Sequence, residues 1–91
     1  MMQSLDGKTA IVTGAGRGIG RAIALGLAAE RAHLVLTART RSEIDDVAST
    51  ANELGSQAIA IPGDAAHEDT ASTVVGAAMD EFGPVDILVN N

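Results

Sequence analysis

The sequence predicts an α/β fold: a doubly wound parallel sheet with strand order 3-2-1-4. Three observations carry that prediction. Short aliphatic runs alternate with segments long enough to be helices, in the order β-α-β-α-β-α-β. Glycines crowd the junction between the first apolar run and the first helix, in "IVTGAGRGIG" at residues 11–20. No low-complexity linker, internal repeat or composition shift divides the 91 residues, so one domain at most is expected.

Each element has its own signals. "KTAIVT", residues 8–13, is a β-branched apolar run after the Asp6-Gly7 turn and reads as a buried strand. From Ile19 to Ala29 the residues Ile19, Ala22, Ile23, Leu25 and Ala28 keep helical spacing in an Ala- and Leu-rich segment. "HLVLTA", 33–38, is the second strand. Ser42 is the expected N-cap of a helix from Glu43 to Leu54, with Asp45 and Asp46 in its first turn and Gly55 as its stop. "QAIAI", 57–61, is the third strand and closes at Pro62-Gly63. Residues 67–82 form the third helix, with Val74, Val75, Ala78 and Phe82 on one face, and Gly83-Pro84 ends it. "VDILVN" is the fourth strand. Strands joined by helices of this length run parallel, with right-handed crossovers, and continuous apolar strands suit a sheet covered on both faces.

Composition narrows the function. Hydrophobic residues make up 46% of the chain and Phe82 is its one aromatic, so the core must be aliphatic. Without cysteine there is no disulfide, thiolate catalysis or cysteine zinc site. No run reaches the roughly 18 apolar residues of a membrane span, and the N-terminus does not read as a signal peptide. The expected location is the cytoplasm. A net charge of −6 argues against nucleic acid as a partner. Yet Arg17, Arg21, Arg39 and Arg41, four of the six basic residues, fall beside two apolar runs. They read either as a local site for a small anion or as ordinary solvated arginines. His33 and His67 have no partners at metal-ligand spacing and read as surface or strand-entry residues.

Gly14, Gly18 and Gly20 lie between a strand and a helix. Glycines there allow a tight turn, close approach of a ligand to the backbone, and close packing of helix on strand. The helix N-terminus offers free amides to an anion. Strand before and helix after give the motif its weight; the alternative is a turn that binds nothing. The nearby Gly7-Lys8-Thr9 is no P-loop. Met2 stands where that motif needs its first glycine, and Lys8 precedes a strand instead of following one.

These residues resemble the short-chain dehydrogenases/reductases in their main single-domain branch. Thr13-Gly14-Ala15-Gly16-Arg17-Gly18-Ile19-Gly20 fits the family's TGxxxGxG, and "DILVNN" fits the start of its NNAG motif. The resemblance covers the chain but only about the first third of a usual member. It implies a Rossmann-type dinucleotide-binding part with the cofactor on Thr13, Gly14, Gly16, Arg17, Gly18, Ile19 and Gly20. It also implies Asp64 and the adjoining Ala65 at the adenine, and Asn90 and Asn91 bracing the first strand against the fourth. Asp64 reads equally as a turn residue. The family's catalytic Ser and Tyr-x-x-x-Lys fall beyond NNAG. This chain has no tyrosine, and its one lysine is Lys8. The expected activity is therefore that of an NADP(H)-dependent carbonyl reductase or alcohol dehydrogenase, with this chain supplying the binding half and no catalytic residue. A non-catalytic binding module or an inactive fragment are the alternatives. The partners implied are the dinucleotide, a small carbonyl or alcohol substrate, and further copies in a tetramer.

Cofactor choice turns on the end of the second strand. Dinucleotide folds place Asp or Glu there for the ribose hydroxyls. Here Ala38 stands in that position, followed by Arg39, whose planar fork suits a 2′-phosphate. Arg17 could approach the same group. NADP(H) is expected over NAD(H), the alternative being that Arg39 points to solvent. Two further expectations concern the scaffold. Arg31 stands where the family has a left-handed glycine after the first helix. The fourth strand, largely apolar, leaves an edge that would make an isolated 91-residue chain associate or lose solubility.

Overall fold

In the computed structural model, which describes residues 4–91, the elements follow the expected order. They are β1 (Thr9–Thr13), α1 (Gly18–Ala29), β2 (His33–Ala38), α2 (Arg41–Glu53), β3 (Gln57–Pro62), α3 (Glu68–Glu81) and β4 (Ile87–Val89). The four strands form one sheet in the order β3-β2-β1-β4, and every pairing is parallel. This is the first half of a Rossmann fold. The change of direction between β3 and β4 opens a crevice at the carboxyl ends of the strands.

Strand alternation assigns the residues to faces. Ala10, Val12, Leu34 and Leu36 point towards α1 and α2, where Ile44, Val47, Ala48 and Ala51 complete one buried cluster. Ile11 and Val35 point the other way, to Val74 and Ala78 of α3. Helix α1 meets the sheet through Gly20, Ala24 and Ala28, a ridge of small residues at a spacing of four. This corrects the expected face: Ile19 is 71% exposed and Ala22 also faces solvent. Small side chains let the helix approach the strands closely, so the bulky residues are displaced to its flank. Along α3, Val74 and Ala78 are buried and Phe82 packs against their cluster as expected, but Val75 is exposed.

Two boundaries differ by more than one residue from the sequence reading. Helix α2 starts earlier, with Thr40 as N-cap instead of Ser42, and Glu43 rather than Asp45 and Asp46 is the acid of its first turn. Neither candidate is chosen by a side-chain cap, because Thr40 makes no capping hydrogen bond. Strand β4 is shorter than "VDILVN". Asp86 joins β1 through its side chain, Oδ2 accepting from Thr9 N at 2.9 Å, while its own amide donates to Thr9 O at 2.9 Å.

The helix ends follow one rule with one exception. After α2, Gly55 is left-handed (φ 104°), and the amides of Gly55 and Ser56 return to Asn52 and Ala51 as a Schellman motif. The same two bonds close α1, from Arg31 to Ala28 and from Ala32 to Leu27, with Arg31 as the left-handed residue (φ 66°). An arginine held there costs roughly 1–2 kcal/mol. Ser56 Oγ ties the two ends together by donating to Ala32 O at 2.5 Å.

Candidate dinucleotide site

The loop from β1 to α1 is built from glycines with separate jobs. Gly14 and Gly18 are left-handed (φ 59° and 62°), which turns the chain out of the strand and into the helix. Gly20 is needed for contact: a Cβ there would run into the carbonyl of Gly14 and lie 2.7 Å from Asn91 Nδ2. Gly16 is crowded too, since a Cβ on it would sit 3.0 Å from Glu43. Arg17 is the N-cap of α1 and makes no capping bond, and no acid stands in the first turn. The first-turn amides of α1 thus have neither an intrahelical partner nor a competing side chain.

The far side of the loop is braced by the end of β4. Thr13 Oγ1 accepts from Asn91 N at 3.0 Å and lies 3.4 Å from Val89 O and 3.3 Å from Asn90 Oδ1, either of which can take its proton. Asn91 Nδ2 donates to Gly14 O at 3.2 Å. Thr13, Asn90 and Asn91 therefore join β1 to β4 in the way the resemblance implied.

Above this frame lies an open cleft of about 510 Å³. It brings together Gly14, Gly16, Arg17, Arg39, Asp64, Ala65 and Asn91 from the expected set, and adds Thr37, Ala38, Thr40, Glu43, Gly63 and Ala66. Gly18, Ile19 and Gly20 shape the loop beneath without lining the cleft. Thr13 and Asn90 open instead on a smaller, largely apolar groove beside α3. Arg17 and Arg39 are exposed, and among the described residues the carboxylates of Asp45 and Asp64 lie against Arg41 and His67, so neither cleft arginine is matched to a carboxylate. Asp64 acts as a turn residue, its Oδ1 accepting from Ala66 N at 2.9 Å, and it also faces the cleft.

Glu43 and Thr37 are among the cleft residues that escaped the sequence reading as site residues. Glu43 was legible only as a helix start, although an acid five positions beyond the strand end is placed to lean back over the loop. Thr37 is fully buried and its Oγ1 has no protein partner; nothing in a strand's apolar pattern marks such a hydroxyl.

The cradle fits a dinucleotide. Bare backbone lies where a Cβ would collide, free amides stand at a helix start, and cationic side chains flank an open crevice at the sheet's switch point. Comparison with known proteins agrees. The family model for short chain dehydrogenases matches residues 8–91. An uncharacterized oxidoreductase of Mycobacterium tuberculosis is 42% identical over 90 residues, covering 99% of this chain and 34% of that protein. Among solved structures, a hydroxysteroid dehydrogenase from Escherichia coli is similar with a TM-score of 0.92 at 41% identity, covering 97% of this chain and 37% of that one. A metagenomic short-chain oxidoreductase in complex with NADP gives 0.90 at 38% identity, covering 98% and 40%. The chain spans 34% to 40% of the length of these relatives. With the glycine loop, the parallel sheet and the match over residues 8–91 in agreement, the chain belongs to the short-chain dehydrogenase family.

Proposed function

We propose that residues 1–91 form the N-terminal, cofactor-binding part of a single Rossmann domain in an NADP(H)-dependent oxidoreductase, a carbonyl reductase or alcohol dehydrogenase. The observation that carries this reading is the mouth of the cleft. Ala38 stands where a carboxylate would hold the ribose, and Arg39 and Arg17 flank it without an anionic partner. Their guanidinium forks suit a 2′-phosphate. The NADP bound in the metagenomic relative supports the same choice.

Each residue then has a task. Gly14 and Gly16 meet the pyrophosphate, and Gly18, Ile19 and Gly20 shape the loop and the first-turn amides of α1 that complete its cradle. Arg17 and Arg39 hold the 2′-phosphate, Asp64 and Ala65 meet the adenine, and Thr13, Asn90 and Asn91 keep loop and sheet in register. The bound nicotinamide supplies hydride exchange with a C=O or CH–OH carbon; this part of the protein binds and orients. The family resemblance supports a catalytic Ser, Tyr and Lys outside these residues. It supports a cytoplasmic homotetramer acting on small molecules, with neither nucleic acid nor membrane as a partner. No helix among the described residues is long and apolar enough to cross a membrane.

Calorimetric titration of the intact protein with NADP⁺ and NAD⁺ tests the reading. Ala38→Asp combined with Arg39→Leu should reverse the preference by more than about tenfold, the scale of one charge-assisted hydrogen bond. An unchanged preference would show that Arg39 does not hold the phosphate.

A further inference from the structure

A carboxylate already leans over the place where β2 lacks one. The meeting point is Gly16. A Cβ built on it would lie 3.0 Å from both Cβ and Oε1 of Glu43 and 3.7 Å from Ala38 Cβ. The side chain of Glu43 therefore lies across the bare backbone of the glycine loop, beside the spot that residue 38 faces. Glu43 is half-buried, lines the cleft, and is the acid in the first turn of α2. Among the described residues it forms no ion pair, with Arg17 and Arg39 or with any other base. It is an uncommitted carboxylate fixed by its backbone position next to the adenosine end of the proposed site.

We propose that Glu43 is a specificity-determining residue, one that supplies from α2 the ribose-binding carboxylate missing from β2. The inference rests on the cleft being the dinucleotide site. Ribose hydroxyls are donors, and an ionised carboxylate accepts from both of them. A 2′-phosphate brings negative charge to the same place and is repelled. Arg17 and Arg39 pull the other way. The two influences come from different elements, so the cleft accepts NAD(H) as well as NADP(H), and the balance is set by Glu43 against the two arginines.

The test is calorimetry on the intact protein with NAD⁺ and NADP⁺ as separate probes, for the unsubstituted protein, Glu43→Gln, Glu43→Ala and Arg39→Leu. Gln keeps the size of the side chain and Ala suits a helix start, so the fold is retained. Loss of the carboxylate should weaken NAD⁺ about tenfold and leave NADP⁺ unchanged or tighter. If both Glu43 variants leave the ratio of the two dissociation constants within about twofold while Arg39→Leu moves it, the inference fails and the NADP reading stands. If the Glu43 variants move the ratio and Arg39→Leu does not, the inference stands and the role given to Arg39 fails. Binding of neither dinucleotide by the unsubstituted protein would overturn both.

Discussion

The two faces of the sheet are built differently. Towards α1 and α2 the strands present Ala10, Val12, Leu34 and Leu36, and the helices answer with Ala24, Ala28, Ile44, Val47 and Ala51, all at most 1% exposed. Towards α3 the buried set shrinks to Ile11, Val35, Val74 and Ala78. On that side Val75 and Leu88 stand 44% and 65% exposed and share one apolar groove. The glycine loop rises from the closely packed face. A ligand held by backbone needs a backbone that does not move, and small residues packed at close range provide one. The α3 face carries no such demand among the residues described, and its side chains are more loosely covered.

The largest effect should come from breaking the close packing at its tightest point. Gly20→Val drives a branched side chain into the carbonyl of Gly14, which is backbone and cannot step aside. The expected cost is about 3 kcal/mol or more, at the upper end for overpacking, with loss of dinucleotide binding. Gly18→Val is the matched control. A Cβ there meets nothing within 4 Å, and only its left-handed φ is strained, at about 1–2 kcal/mol. Chemical denaturation of both variants measures the difference. Equal losses would show that the loop, and not the contact between helix and loop, limits stability.

Core truncation sharpens the comparison between faces. Leu36 is fully buried in the α1/α2 cluster, and Leu36→Ala should cost about 2–5 kcal/mol. Leu88 occupies the opposite face at 65% exposure, and Leu88→Ala should stay within about 0.5 kcal/mol. Thermal unfolding of the two variants side by side reads the contrast directly. A large loss at Leu88 would mean that its face is covered in the intact protein.

How far the sequence foretold this arrangement depends on the range of the forces involved. Strand order, parallel pairing and the glycine loop were legible because alternation, crossover length and glycine placement are local signals. The left-handed conformation of Arg31 was legible through the resemblance to a family that has a glycine there, and α1 indeed ends as α2 does at Gly55. The buried ridge of α1 was not: Ile19 outranks Gly20 on any hydrophobic pattern, yet closeness of approach selects the small residue. The start of α2 was misplaced because Thr40 and Ser42 are equally good caps by composition and neither bond forms where the helix begins. Within the site, Arg17, Arg39 and Asp64 could be named from position, whereas Glu43 enters the cleft only because a helix start and a loop distant in sequence converge on Gly16.

The smallest effect tests whether the contrast lies in packing or in the helices themselves. Gly26 on α1 and Gly76 on α3 are both exposed, and a Cβ on either meets nothing within 4 Å. Neither has a positive φ, so alanine fits both without strain. Each Gly→Ala change removes flexibility from the unfolded chain and should stabilise by about 0.5–1 kcal/mol. If packing alone separates the faces, the two gains will be equal, because neither substitution touches a buried contact. Denaturant midpoints of Gly26→Ala and Gly76→Ala decide this. A clearly smaller gain at Gly76 would mean that α3 is partly unfolded before the rest of the domain, so that restoring its helical propensity acts on a segment already loose. That outcome would relocate the difference between the faces from the side chains beneath α3 to the helix itself.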